Sequence, residues 1–373
     1  MKSGVLPDWK IKELIKEGII LNADPELINT SSLDLRIDSE RWKLLGSFLP
    51  LPEQNIEEVL QSRDIVDSYS HAEKLEFDYL QQYLVKLVES LKLPRSISAK
   101  IFNKSGRGRI GIALKGLANG IPHFDIISNG YEGNLYAEIS STNFPLIVYP
   151  KQTAIPQIRF YEGNPMPISG SELELLLEKY PILVDDEGRP SYNKKERDHV
   201  IRTGKLTLTA DIPEEGLLAY VGKRDRRILD LSKKNFYNPE EYYREEISKK
   251  NGKSILIHPG DFILIKSKQN VRLPPFIAAE IDEYSIELGD MKSHYAGLVN
   301  ASHGYDPDNL QVPSYIVFEV RARDMPLIIQ NGQRLAKFSL YRMWDEPEGR
   351  YGKVKSTDFK DLRSILPNIF LKD

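Results

Sequence analysis

An internal repeat at a spacing of about 180 residues is the feature that most restricts how this 373-residue chain can fold. Residues 83–94 return as residues 263–274, and each copy ends in a Leu-Pro pair. Residues 137–147 likewise return as residues 318–328. Solenoid repeats have periods of about 20 to 50 residues, so a repeat this long indicates two duplicated domains.

Each copy consists of short β-type runs separated by Gly, Pro and Asn turns, and helical periodicity is scarce. The sequence therefore predicts a mainly β chain of two tandem modules of roughly 150 residues each, with a few short helices. We place the first module at 1–163, a helix and polar linker at 164–203, the second module at 204–343 and a C-terminal tail at 344–373.

Composition excludes several classes of protein. The formal net charge is only −3, so no general excess of positive charge favours a nucleic-acid partner. The chain contains no cysteine, which removes disulfides, thiolate nucleophiles and cysteine-containing zinc sites. No run approaches the ~20 apolar residues that cross a bilayer, and no secretion signal is evident, so we expect a cytoplasmic protein without a membrane partner.

A carboxylate lies inside one of the predicted strands. Leu135, Ala137 and Ile139 share the apolar face of this strand, which puts Glu138 on the other face. Most acids in such a position are solvated or paired with a nearby Lys or Arg. The strand alone therefore does not distinguish a surface acid from a functional one.

A glycine-rich basic segment at 99–112 precedes that strand in the first copy. It offers backbone N–H groups, a hydroxyl and cationic side chains close together, from Lys104, Ser105, Arg107 and Arg109. Such a turn suits a polyphosphate, because oxyanions bind best to several converging charged donors. The GxxxxGK[ST] order of a P-loop is absent, and a flexible basic surface loop is the alternative reading.

The second copy differs at the equivalent position, residues 279–297. The basic residues are replaced there by the acids Asp282, Glu283, Glu287 and Asp290, which would repel a triphosphate. We therefore expect the second copy to have lost nucleotide binding and to serve structure or subunit contact.

The run 235–246 has no counterpart in the first copy, and we interpret it as an insertion that covers a surface or a subunit contact.

Taken together, these features resemble the dCTP deaminase and dUTPase superfamily, and most closely its long, tandem-duplicated 2′-deoxycytidine 5′-triphosphate deaminases. The resemblance covers nearly the whole chain and rests on the order and spacing of short motifs: SSLDLRI, KSGRGRIGI, GYEGNLYAEIS, PQIRFY, HYAG, FEVRARDMPLI and GQRLAKFSLYR. It implies two tandem dUTPase-like distorted β-barrels (β-clip modules). It also implies a homotrimer with active sites at subunit boundaries.

The activity that this resemblance implies is hydrolytic deamination of dCTP to dUTP and ammonia. Magnesium would arrive on the triphosphate, and no zinc would be needed. The sequence agrees on zinc, because the H-x-E and P-C-x-x-C ligands of zinc deaminases require cysteines that this chain lacks.

The resemblance also assigns site residues. Glu138 matches the family's general base, and Arg109 and Ser105 match its catalytic Arg/Ser loop. The expected substrate contacts are Lys104, Gly130, Tyr131 and Gln157. The counterpart of the base in the second copy, Glu319, is expected to be dispensable for the chemistry.

Two departures from the family pattern affect the contacts to the sugar and the base that the resemblance implies. Gly106 replaces the second serine of the Arg/Ser loop. Compact members carry an Arg-x-Asp-Pro-Gly-Trp run before the catalytic strand, whereas this chain has Ile126 and Ser128 in that region. The alternatives are a dUTP pyrophosphatase, a bifunctional deaminase and dUTPase, and a nucleotide-binding protein without turnover.

Overall fold

Strands dominate the computed structural model, and its helices are few and short. The prediction of a mainly β chain with a few short helices is confirmed. The structure describes residues 2–62, 65–71, 73–224, 227–247, 254–282, 291–293, 296–306, 314–351 and 364–371. No helix in these ranges is long and apolar enough to cross a membrane.

The elements of the first half follow one another in short steps along the chain. Its strands are β1 (Gly4–Val5), β2 (Ile20–Leu21), β3 (Ile28–Asn29), β4 (Ser32–Leu44), β5 (Val66–His71), β6 (Leu75–Phe77), β7 (Gln82–Lys92), β8 (Ile97–Asn103), β9 (Ile112–Ala118), β10 (Ile126–Ile127), β11 (Glu132–Ser141), β12 (Leu146–Val148) and β13 (Ala154–Glu162). Its helices are α1 (Asp8–Lys16), α2 (Ile56–Val59) and α3 (Ser105–Gly108), with a 3₁₀ turn at Pro25–Leu27.

Two helices separate the halves, and a second set of strands follows. The helices of this part are α4 (Gly170–Lys179), α5 (Lys194–Thr203) and α6 (Pro239–Tyr242). The strands are β14 (Leu183–Val184), β15 (Leu206–Thr209), β16 (Leu217–Gly222), β17 (Leu229–Asp230), β18 (Tyr243–Ile247), β19 (Ser254–Ile257), β20 (Phe262–Val271), β21 (Ile277–Ile281), β22 (Met291–Lys292), β23 (Leu298–Val299), β24 (Tyr315–Ala322), β25 (Leu327–Gln330) and β26 (Arg334–Arg342).

The main sheet of the first half nearly closes into a barrel. Its strands lie in the order β10-β8-β13-β4-β7-β11-β9. The two ends of this sheet pack together, since a Cβ built on Gly116 in β9 would lie 2.7 Å from the Ile101 Cβ in β8. Glycine at this position lets the strands approach closely, and apolar side chains such as Leu135 and Ile158 are fully buried in the first-half core.

The internal repeat is visible in the backbone pairing of the two halves. Glu138 in β11 lies opposite Leu84 in β7. Glu319 in β24 lies opposite Leu264 in β20, which is the same register in the second copy. The two carboxylates therefore occupy equivalent places in two equivalent pairs of strands.

The halves share part of their core. Strand β12 pairs in parallel with β17 of the second half, and antiparallel with β6. Tyr242, Tyr243 and Phe370 of the second half belong to the same buried cluster as Phe144 of the first. The run 235–246, interpreted above as an insertion that covers a surface, thus packs its tyrosines against the first half of the same chain.

One fully buried cation ties the halves together. The Arg159 guanidinium donates hydrogen bonds to the backbone oxygens of Ala279 and Val299, both at 2.9 Å. Beside it, the Ser31 hydroxyl donates to Asn300 Oδ1 at 2.7 Å. These polar contacts fix how the first half sits against strands β21 and β23.

Arg159→Ala should lower the free energy of unfolding by about 3 to 5 kcal/mol, because it leaves the buried oxygens of Ala279 and Val299 without their charged donor. The matched control is Arg189→Ala, which removes an exposed pair with Asp185 and should change stability little. Urea denaturation of both variants checks this. Equal stability of the two variants would contradict the assigned role of Arg159.

Candidate active site between the two halves

The Arg/Ser segment of the first half forms a tight turn after strand β8. Helix α3 begins at Ser105, and Arg109 directly follows its last residue. The Arg109 side chain is buried, and its Nη1 donates to the backbone oxygens of Ser364 at 2.7 Å and Ile365 at 3.1 Å. The backbone oxygen of Arg109 accepts a hydrogen bond from the Tyr243 hydroxyl at 2.7 Å. The turn is therefore held by segments that come from the other half of the sequence.

Glu319 lies in the middle of strand β24 and is only 1% exposed. Its Oε2 accepts a hydrogen bond from the backbone N–H of Ala296 at 3.1 Å. Its own backbone N–H donates to the oxygen of Ser293 at 3.1 Å. This carboxylate is thus held in a fixed orientation away from bulk water.

The turn of the first half packs directly on the acid of the second half. A Cβ built on Gly108 would lie 2.5 Å from Glu319 Oε1, so only glycine fits here without displacing the carboxylate. Burial lowers the pKa of the Arg109 guanidinium, and the charge of Glu319 acts in the opposite direction. A cation and a carboxylate of opposite halves therefore share one water-poor site.

A small cavity joins these groups. Its volume is about 50 Å³, and its lining includes Ser105, Arg109, Asn300, His303, Glu319 and Tyr351. This space has room for a few water molecules. An acid, a cation and a hydroxyl around a space of this size are groups that a general-base hydrolysis can use.

His303 is the buried imidazole of this cavity. Burial lowers the pKa of its ring to about 4, and the positive charge of Arg109 also lowers it. Its Nε2 lies 3.3 Å from the backbone oxygen of Ser314, which places a proton on that nitrogen. The ring is therefore neutral at pH 7, and it packs against Tyr351 with 5.2 Å between ring centroids.

Among the described residues, Glu138 is not grouped with Arg109. The Ser47 hydroxyl donates to Glu138 Oε2 at 2.7 Å, and Lys115 Nζ lies 3.5 Å from Oε1. We expected Glu138 to face a pocket closed by another subunit. Its carboxylate instead contacts Ser47 and Lys115 of its own chain. The acid next to Arg109 is Glu319, because the contact between the halves lays the α3 turn against β24.

Two of the predicted substrate contacts have other partners. Lys104 forms a buried ion pair with Asp34. Gln157 accepts a hydrogen bond from Ser32 at 3.3 Å and donates to the backbone oxygen of Asn103 at 3.0 Å. Neither side chain lines the cavity, and their roles in binding remain predictions.

Gly130 and Tyr131 lie in the turn that leads into β11. Gly130 has a φ of +75°, which explains the glycine. The Tyr131 ring belongs to the first-half core, and its hydroxyl donates to the backbone oxygen of Asn134. The structure does not bring this pair to the cavity of Arg109 and Glu319.

The acids that were expected to disable the second copy are only partly described. Asp282 forms an ion pair with Lys205 at 2.9 Å. The other three, Glu283, Glu287 and Asp290, lie outside the described residues.

Sequence patterns did not point to His303 as a residue of this cavity, and the expectation that Glu319 is dispensable stays a prediction. A signal was present, because Asp306-Pro307 precedes the strand of Glu319. Compact family members carry an Asp-Pro pair at this place, and the segment before the strand of Glu138 lacks it.

The fold and the cavity define a duplicated β-barrel protein with an acid and a guanidinium at the contact between its halves. Two sequence profiles match this chain: the 2′-deoxycytidine 5′-triphosphate deaminase N-terminal domain over residues 2–164 and the C-terminal domain of the same enzymes over residues 184–367. The chain belongs to the dCTP deaminase family, which is a family of enzymes.

Curated relatives agree with this assignment. A "dCTP deaminase, dUMP-forming" of Nanoarchaeum equitans is 31% identical over 185 residues, which is 43% of this chain and 86% of that protein. A protein of the same name from Persephonella marina is 30% identical over 156 residues, covering 39% of this chain and 77% of that protein.

A solved structure resembles almost the whole chain. The 2′-deoxycytidine 5′-triphosphate deaminase of Agrobacterium tumefaciens superposes with a TM-score of 0.81 at 27% identity, covering 92% of this chain and all of that one. The expected fold class of two tandem distorted β-barrel modules is confirmed by this match and by the strands described above.

Gly108→Ala should lower kcat/KM for the family's reaction by about tenfold or more, because the added methyl group would displace the Glu319 carboxylate. The control is Gly46→Ala, since a Cβ at Gly46 meets nothing within 4 Å. Steady-state kinetics of both variants checks this. Equal activity of the two variants would contradict the expectation that the position of the Glu319 carboxylate beside Gly108 matters for activity.

Proposed function

We propose that this chain deaminates dCTP by hydrolysis in the cavity between its halves, with Glu319 as the general base. The observation that carries the proposal is the packing of the Arg109 turn on the Glu319 carboxylate. The family assignment supports dCTP as the substrate. The family resemblance instead implies Glu138 as the base, and the experiment below tests this alternative.

The chemistry needs a base because neutral water is a poor nucleophile. In the proposed step, Glu319 takes a proton from a water molecule while the oxygen of that water adds to C4 of cytosine. Proton transfer to the exocyclic nitrogen then lets ammonia leave, so that dCTP and water give dUTP and ammonia. Holding the carboxylate in a water-poor site strengthens its interactions with the developing charges.

Arg109 and Ser105 would bind and orient the reacting groups. A guanidinium is well suited to phosphate oxygens, and a hydroxyl can both donate and accept. Magnesium would arrive on the triphosphate of the substrate.

A cavity of about 50 Å³ is too small for a nucleoside triphosphate. The backbone oxygens of Ser364 and Ile365 now accept hydrogen bonds from the Arg109 guanidinium. We therefore propose that substrate binding displaces this C-terminal segment from the Arg109 side chain.

The nucleotide product has a second candidate, dUMP. The named relatives are dUMP-forming, which favours a bifunctional reaction in which dUTP is hydrolysed further to dUMP and pyrophosphate. This second candidate needs water to attack phosphorus as well as carbon. Analysis of nucleotide products separates the two.

Assembly is a separate proposal. The family resemblance leads us to propose a homotrimer. Arg109 and Glu319 of a single chain already line one cavity, so we propose that turnover does not depend on residues from a partner subunit.

Glu319→Gln should lower kcat by about 10²- to 10⁴-fold, because an amide keeps the shape of the side chain but cannot accept the proton. Affinity for dCTP should change little. Glu138→Gln is the matched control, since the same change is made at the equivalent position of the other half, and its kcat should stay within about threefold of the unmutated chain.

The measurement is release of ammonia from dCTP with magnesium, together with separation of dCTP, dUTP and dUMP. Loss of turnover in Glu138→Gln with normal turnover in Glu319→Gln would return the base to Glu138. Binding of dCTP without ammonia release by the unmutated chain would instead support a nucleotide-binding protein without turnover.

A further inference from the structure

We infer that Tyr243 is a positioning residue for Arg109, so that the inserted segment of the second half holds the catalytic turn of the first half in place. The inference rests on the function proposed above. It adds a residue that lies outside the cavity and acts through the backbone of Arg109.

The contact itself is short and buried. Tyr243 is 2% exposed, and its hydroxyl donates to the backbone oxygen of Arg109 at 2.7 Å. Its ring packs edge to face on Phe144 and Phe370, with 5.6 Å and 5.4 Å between ring centroids. The phenol is therefore fixed by aromatic packing, and its single donor is directed at the turn.

The turn needs such an anchor because its own sequence is permissive. Gly106 and Gly108 lie within helix α3, and Gly111 follows with a φ of +82°. Glycines leave the backbone around Arg109 with more conformational freedom than other residues would. A hydrogen bond to the carbonyl directly at Arg109 restricts the part of the turn that carries the guanidinium.

The hydrogen bond from Tyr243 does not depend on what the Arg109 guanidinium binds. The side chain of Arg109 contacts the oxygens of Ser364 and Ile365, and in the proposed reaction it exchanges them for oxygens of the substrate. The bond from Tyr243 goes to the main chain and can persist through that exchange. Tyr243 would thus keep Arg109 aligned with Glu319 while its side chain changes partners.

The test compares Tyr243→Phe with Tyr242→Phe. Tyr242 is a close match, because it is 4% exposed, packs on the same Phe144 and Phe370, and donates its hydroxyl to the backbone oxygen of Ile228 at 3.2 Å. Each variant loses one hydroxyl in the same aromatic cluster, so we expect similar shifts of the melting temperature. Tyr243→Phe removes the bond to Arg109, whereas Tyr242→Phe removes the bond to Ile228.

We expect Tyr243→Phe to lower kcat/KM for dCTP by about tenfold and Tyr242→Phe to stay within about twofold. A second arm repeats Tyr243→Phe in an Arg109→Lys background. If Tyr243 acts through Arg109, Tyr243→Phe should then lower kcat/KM by less than about twofold. A merely structural role would lower kcat/KM by the same factor in both backgrounds. If turnover of the Arg109→Lys variant is too slow, the same double-mutant comparison can be made with the affinity for dCTP, measured by calorimetry.

Equal kcat/KM for Tyr243→Phe and Tyr242→Phe, or equal effects of Tyr243→Phe in both backgrounds, would overturn the inference and leave the proposed function standing. Failure of the unmutated chain to release ammonia from dCTP would overturn the proposed function, and this inference with it. The two failures are thus distinguished by the activity of the unmutated chain.

Discussion

The packing of the Gly108 backbone on the Glu319 carboxylate is the contact on which the site depends. It requires a glycine on one side and a rigid strand on the other, and it requires the halves to meet in one orientation. Arg159 supplies that orientation through its bonds to the backbone oxygens of β21 and β23. Stability and the proposed chemistry therefore both depend on contacts between the same two halves.

The residues that line the cavity come from both copies. The first copy provides the turn with Ser105 and Arg109, and the second provides Glu319 and His303. The equivalent acid of the first copy, Glu138, is held by Ser47 and Lys115 of its own half. The cavity is therefore lined by the Arg109 turn of one copy and by the Glu319 strand of the other.

Much of the fold follows from local sequence. The repeat, the short β runs and the Gly-rich turn are all patterns along the chain, and the register of Leu84 with Glu138 and of Leu264 with Glu319 repeats accordingly. Which of the two acids lies beside Arg109 was not predictable in this way, because spacing along the chain does not tell how the two copies pack on each other. The ion pair of Lys104 with Asp34 could not be predicted either, because it also depends on the tertiary fold.

The positions that sequence reasoning missed share one property. Tyr243 and Ser364 contact Arg109 from places that are 134 and 255 residues away along the chain. Short-range periodicity has no information about such contacts. An insertion such as 235–246 reads as surface covering until the structure shows what its tyrosines touch.

The most direct test of the central claim, that Arg109 and Glu319 of one chain form one site, is to produce Arg109→Ala and Glu319→Gln chains together and to measure release of ammonia from dCTP. Each chain carries one intact partner, so a site formed between chains would be restored in mixed assemblies. We predict that the mixture is no more active than either variant alone. Turnover well above that of both variants would show that the two residues meet across a subunit boundary and would contradict the account.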